Sequence, residues 1–284
     1  MKRQTTVLKY RIQRLALGLL AVVMSATPAA AGGFPAFPLR RCAPDAVLAG
    51  TVCMDRYEAS VWRVPDPTTT NASLVRKIQL GRALREDLVA GGATQLGIAG
   101  NDYAPCAANG QNCVSAIYAV SLPAVLPSAF ITWFQAQEAC ANSGKRLPTS
   151  AEWQVAANGT PDGRADDHAT TCNNDSADTM TLTGSRAGCV STRGAFDMVG
   201  NLGEWVADWV PRSTMCPGWG GFSDDLMCLA GANVDPPGPA VEAGPGALVR
   251  GGFFFLGEGN GPLAVIGTVS PIRSQSFFGF RCAR

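Results

Sequence analysis

Ten cysteines and one histidine bound the chemistry open to this chain of 284 residues. A thiolate can act as nucleophile or soft-metal ligand, but the cysteine count is even and every cysteine lies beyond residue 41. That distribution favours disulfides formed in an oxidising compartment. A zinc site needs clustered C-x-x-C or Cys/His spacing, and neither is present. The lone His168 stands in a polar stretch, GRADDHATT. One imidazole cannot complete a facial triad for non-haem iron. Without a G-x-S-x-G elbow it has no serine to activate either, so a solvated loop histidine is expected. The adjacent acids Asp166-Asp167 and Asp224-Asp225 sit in loop-like sequence, where hydration is the expected role, and no carboxylate pair is singled out for glycosidase chemistry. The stretch Gly200-Asn201-Leu202-Gly203-Glu204-Trp205 offers the carboxylate, amide and backbone oxygens that calcium takes. The plainer alternative is a turn in which Asn201 bonds its own backbone.

Cysteine spacing alone leaves the pairing open, because ten cysteines allow about 945 arrangements. Close spacings suggest four local loops: Cys42/Cys53, Cys106/Cys113, Cys172/Cys189 and Cys216/Cys228. Cys140 and Cys282 remain, and they pair only if all four local bridges hold.

The elements that must position these groups are punctuated by glycine and proline. Apolar residues make up 46% of the chain and charged ones only 16%, which excludes wholesale disorder and points to a loop-rich globular fold. At the N-terminus, Lys2, Arg3, Lys9, Arg11 and Arg14 precede an apolar stretch, Leu15 to Met24, and small residues through Ala31. This is the pattern of an export signal over residues 1–31. Without that lead, 18 basic residues face 22 acidic ones, which argues against a nucleic-acid partner. No uninterrupted apolar run is long enough for a membrane span after signal cleavage. Thr51 to Val64 reads as a strand, and Leu74 to Val89 as one amphipathic helix within a poorly patterned insertion, residues 65–130. Thr132 is the expected N-cap of a helix carrying Trp133, Ala136 and Cys140 on one face and stopped by Gly144. Thr149 to Glu152 forms a capping box for a second helix that buries Trp153, Ala156 and Ala157 and ends at Gly159. The class is therefore α+β, two short helices on small antiparallel sheets, stapled by disulfides.

Four segments resemble the formylglycine-generating enzyme, or sulfatase-modifying factor, family. They are Met54-Asp55-Arg56-Tyr57-Glu58; ITWFQAQEACANSGKRLPTSAEWQVAANG (131–159); GAFDMVGNLGEWVADW (194–209); and LVRGG (248–252) with the closing GFRCAR (279–284). Their order and spacing match across roughly residues 42 to 284, less the insertion. The resemblance implies a C-type-lectin-like fold in one domain, residues 32–284, and a bridge between Cys140 and Cys282. It implies calcium as a structural ion on Asn201 and Glu204.

The family's oxidases use two cysteines shortly after RGG to hold copper(I). Here residues 253–278 contain no cysteine, and the histidines of an iron-dependent branch are also missing, so neither copper nor iron is expected. The same segment is rich in Phe, Gly and Arg, a composition suited to ligand contact on a rigid platform. Its frame is also similar to the variable proteins of diversity-generating retroelements. On that likeness Phe255, Leu256, Ile266, Thr268, Arg273, Gln275 and Phe277 are expected at the surface. In the triplet Phe253-Phe254-Phe255, strand alternation predicts alternate rings inside. The expectation is an exported domain, periplasmic or secreted, that binds a protein or small-molecule ligand. The alternatives are an oxidoreductase of the formylglycine-generating type with unrecognised ligands and a retroelement variable protein.

Overall fold

Two threonines do at residues 132 and 149 what their sequence context predicts. Each accepts a hydrogen bond from the third backbone N–H of its helix, and the Gln135 or Glu152 side-chain oxygen accepts in turn from the cap's own N–H. These caps start α3 (Trp133–Asn142) and α4 (Ser150–Ala157). Gly144 and Gly159 stop them at positive φ, 67° and 76°, where a Cβ is disfavoured. In α4 the buried face is Trp153, Ala156 and Ala157.

The computed structural model describes residues 41–284 except 115, 163–165, 176–178 and 230–240, with backbone alone for 241–244. Residues 1–40, including the expected signal, lie outside the described residues. Those described fall in one unit, Arg40–Arg284. The first two strands, β1 (Ala46–Ala49) and β2 (Val52–Asp55), form a hairpin. A second sheet has the order β4-β3-β5, with β3 at Ala59–Arg63, β4 at Thr94–Leu96 and β5 at Tyr118–Ser121. The main sheet has five strands: β6 (Gly203–Ser213), β7 (Met227–Cys228), β8 (Val241–Arg250), β9 (Val265–Val269) and β10 (Phe278–Phe280). Their order is β10-β6-β8-β9-β7, antiparallel in the middle and parallel at both edge pairs, so this sheet is mixed.

Two expected elements are each divided. The predicted strand 51–64 becomes β2 and β3, because Arg56, Tyr57 and Glu58 turn the chain so that Glu58 enters the interior. The predicted helix 74–89 becomes α1 (Ala72–Gln79) and α2 (Arg85–Ala90). Gly81 breaks it at a φ of 65°, where a side chain would run into Asp45 and Ala43. The stretch read as an insertion also supplies β4 and β5, both partners of β3.

All ten cysteines are bridged: Cys42–Cys53, Cys106–Cys113, Cys140–Cys282, Cys172–Cys189 and Cys216–Cys228. The four local loops suggested by spacing form, and the pair implied by the family resemblance forms with them. Cys140–Cys282 spans 142 residues and joins α3 to the residues after β10. Long loops gain most from closure, so the Cys140→Ala/Cys282→Ala double variant should lose about 4 kcal/mol in denaturant melts. Removing both sulfurs of the shorter Cys106–Cys113 bridge should cost less.

Candidate functional site

The segment that follows the double glycine does not form a strand at once. Gly251 and Gly252 adopt positive φ, 86° and 80°, and Phe253 to Phe255 run through a turn. Strand alternation therefore does not apply: Phe253 and Phe254 are both buried and Phe255 is 47% exposed. The Phe255 ring rests on Phe277, centroids 5.0 Å apart, and Phe277 lies 4.8 Å from Phe253. This aromatic shelf borders a groove of about 580 Å³ built on β9, on the loop to β10 and on Arg212 of β6.

Of the seven residues expected at the surface, Thr268, Arg273, Gln275 and Phe277 line this groove together. Phe255 stands beside them on the shelf. Leu256 is half-buried and packs on the main core. Ile266 is not a surface residue: at 5% exposure it belongs to the core. The reason is topological, since β9 lies between β8 and β7 and its first residues are covered on both faces. Ser270, Ile272 and Arg212 also line the groove and escaped the sequence reading. Arg212 is 56 residues from Thr268 in the chain, and only the pairing of β6 and β9 with β8 brings them together.

The groove floor is held by backbone bonds rather than by its own side chains. Phe130 N–H donates to the Gln275 carbonyl at 2.9 Å, Trp133 N–H to Pro271 at 3.0 Å and Gly203 N–H to Phe277 at 2.9 Å. The site is thus anchored to α3 and β6. Two arginines line it, and no acidic side chain among the described residues does. An anionic group flanked by apolar surface is the complement of such a lining.

Behind the groove lies the GNxxEW stretch. Asn201 and Glu204 are both buried. The two Glu204 oxygens accept from Arg281 Nε at 2.9 and 2.8 Å, Oε1 also from Arg281 Nη2 at 2.6 Å, and Oε2 from Trp153 Nε1 at 2.7 Å. Asn201 Oδ1 accepts from Thr181 N–H at 2.8 Å and Asn173 Nδ2 at 3.0 Å, while its Nδ2 donates to Glu58. A carboxylate with four such contacts has no lone pair to spare, and the guanidinium repels a second cation. Asn201 and Glu204 do not fit calcium as its ligand pair, and Asn201, at a φ of 52°, turns its side chain to Thr181, Asn173 and Glu58 and not to its own backbone.

A model of the sulfatase-modifying factor enzyme 1-like domain matches residues 98–284. The chain belongs to this family. It is 29% identical over 185 residues to a formylglycine-generating enzyme of Thermomonospora curvata, covering 55% of each chain. It is 31% identical over 165 residues to the serine/threonine-protein kinase Pkn1 of Chlamydia trachomatis, covering 56% of this chain and 24% of the kinase. The chain thus spans about a quarter to a half of the length of these curated relatives. Among solved structures, PvdO from Pseudomonas aeruginosa aligns with a TM-score of 0.38 and 18% identity over 82% of this chain and 80% of PvdO. The Major Tropism Determinant I1 variant aligns with a TM-score of 0.39 and 18% identity over 60% of this chain and 45% of the determinant. The family fold carries the α+β, loop-rich, disulfide-stapled architecture described above. No helix among the described residues is long and apolar enough to cross a membrane. The five disulfides are those of a protein from an oxidising, extracellular or periplasmic setting.

In this family member the carboxyls around Arg281 outnumber the positive charge. Burial raises the Glu58 carboxyl well above its usual range, with repulsion from Asp197 and Glu204 added. Burial likewise raises Asp197 to about 7, and Asp55 to about 6 in spite of its ion pair with Lys145 at 2.7 Å. Unfolded, such groups titrate near about 4, so the folded state holds the extra protons. Their contribution to stability is complete below the unfolded value and is lost as pH rises through about 6 and 7. The melting temperature should therefore fall between pH 5 and pH 8, and Asp197→Asn should flatten the upper part of that decline. A rise over the same window would contradict this account.

Proposed function

We propose that this domain binds a ligand or partner instead of oxidising cysteine, and that the groove beside Phe277 is its binding surface. The observation that carries the reading is the pairing of Arg212 and Arg273 with an aromatic shelf in one accessible groove. Thiolate chemistry is disfavoured by the sequence itself: residues 253–278 hold no cysteine, and all ten cysteines are spent on disulfides. The ligand class is an anion, such as a carboxylate, carried on an apolar body. Phe277 and Ile272 supply contact area, the arginines orient the charge, and Thr268 and Gln275 add neutral hydrogen-bonding groups. Export through the N-terminal leader would place this activity in the periplasm or outside the cell.

A second reading, a variable protein of a diversity-generating retroelement, uses the same face. It is favoured by the accessibility of Phe255, Thr268, Arg273, Gln275 and Phe277, and opposed by the burial of Ile266. A reverse transcriptase gene beside an imperfect copy of the 3′ coding end would establish it.

The binding reading is tested with anilinonaphthalene sulfonate, an anion on an apolar ring system, titrated into the mature chain. Arg273→Glu should weaken binding about tenfold, about 1.4 kcal/mol, without lowering the melting temperature, whereas Phe277→Ala should weaken binding by a similar factor and also lower the melting temperature, because its ring packs on Phe253. Equal affinity in all three proteins removes the groove from consideration. Incubation of the same protein with copper(I), oxygen and a cysteine peptide should yield no aldehyde, and aldehyde formation overturns the reading.

A further inference from the structure

A second pocket, of about 450 Å³, shares no lining residue with the groove. The turn between β2 and β3, the link between α1 and α2 and the chain leaving β5 wall it, and Asp45 ahead of β1 closes it. The α1–α2 link and the residues after β5 belong to the stretch read from sequence as an insertion. Most of the wall precedes residue 98, where the family match begins.

The walls are tied to one another through the backbone. The Asp45 carbonyl accepts from the Arg56 N–H at 2.9 Å and from Ser121 Oγ at 2.9 Å, and the same Oγ accepts from the Tyr57 N–H at 3.1 Å. Gly81 lets the helix link lie directly on Asp45, where a Cβ would collide with the carboxylate. Arg284 Nη2 donates to the Gln79 carbonyl at 3.3 Å and so fixes the end of α1. The Tyr57 ring is stacked on Phe196, with centroids 5.3 Å apart and planes 21° from parallel. A pocket held in this way takes up a ligand without first having to order itself.

Two guanidiniums and one carboxylate line the pocket. The carboxylate is already matched, since Asp45 accepts from Lys145 Nζ at 2.8 Å and from Arg284 Nη1 at 3.0 Å. The Arg56 and Arg82 side chains form no ion pair among the described residues. Two uncompensated cations on one pocket call for an anion. The remaining wall is apolar: Leu84 is 60% exposed at its edge, and Pro44 and Pro123 have no rotamer freedom to lose. Together with the Tyr57 ring these stiff surfaces suit a flat ring. The Asp45 carboxylate repels a dianion about twice as strongly as a monoanion, which favours a carboxylate over a phosphate ester. The volume is that of a small-molecule site.

We propose that this pocket is a second binding site, for an aryl carboxylate whose ring lies between Tyr57 and Leu84 and whose charge is held by Arg56 and Arg82. The site does not depend on the reading of the groove.

The test is calorimetric titration of naphthoate, and separately of inorganic phosphate, into the Arg273→Glu protein, in which the charge of the groove is reversed. Naphthoate should still bind. Adding Arg82→Glu should weaken it at least about tenfold, and adding Leu84→Ser instead should weaken it about threefold. Both positions are exposed, so neither change should move the melting temperature of the unliganded protein. Phosphate should bind more weakly than naphthoate. Loss of naphthoate binding in Arg273→Glu alone would assign the anion to the groove and overturn the second site. Equal naphthoate affinity with and without Arg82→Glu, or phosphate bound as tightly as naphthoate, would also overturn it.

Discussion

A single buried guanidinium holds the structure's distant parts together. Arg281 has no solvent exposure, and a charge so placed is tolerated only when its donors are fully engaged. It donates to Glu204 on β6, to the carbonyls of Asp55 and Arg56 where β2 ends, and to those of Phe196 and Asp197 before the GNxxEW turn. These acceptors come from segments up to 226 residues away. The next residue, Cys282, is bridged to α3, and the Cys282 N–H donates to Asp55 Oδ2. Only one arrangement of β2, β6 and β10 lets one arginine reach all of these oxygens. The network therefore selects the fold more than it strengthens it, since a buried ion pair roughly repays its own desolvation.

That selection explains why the groove can be rigid without regular structure around it. β10 lies parallel to β6 because Arg281 and Cys282 pin the chain just beyond it. With β10 fixed, the eight residues between β9 and β10 have both ends anchored, and their carbonyls receive N–H groups from the segment leading into α3. Preorganisation of this kind lowers the entropic cost of binding. The ends of the loop are thus held through its backbone, on which Arg273 and Gln275 are displayed.

What the sequence disclosed, and what it hid, divides along the range of the interactions involved. Thr132 and Thr149 were legible because a capping box is local, with all its atoms within four residues. The local disulfides were legible for the same reason, and Cys140–Cys282 became so through the family motif. The break at Gly81 was hidden because its cause is Asp45, a residue from another element. Phe253-Phe254-Phe255 misled because alternation presumes a strand, and the paired glycines before it start a turn instead. The retroelement likeness put Ile266 at the surface, yet Gly267 beside it permits close strand packing: a Cβ there would meet Val210 and the Cys228 carbonyl. Arg212 and Asp225 carried no local signal, since each acquires its role only from strands paired across the main sheet.

One short strand relates the buried Asp225 to the groove. β9 begins at Val265, whose N–H bonds to Leu226 next to Asp225, and it ends at Thr268 and Val269 in the groove wall. Four steps of about 3.3 Å separate its ends by about 13 Å. That exceeds the screening length of about 8 Å at physiological ionic strength, so the acids at one end do little to the arginines at the other through space. Coupling between them has to be mechanical. The 257–263 loop leads into β9, follows directly on Phe255 and Leu256 at the shelf, and is held by Asp225 Oδ2 through the Leu263 N–H. That bond holds the apolar rim in position while leaving the charge of the groove unaltered, so the Asp225 end of the sheet bears on how well the groove is formed and not on what it binds.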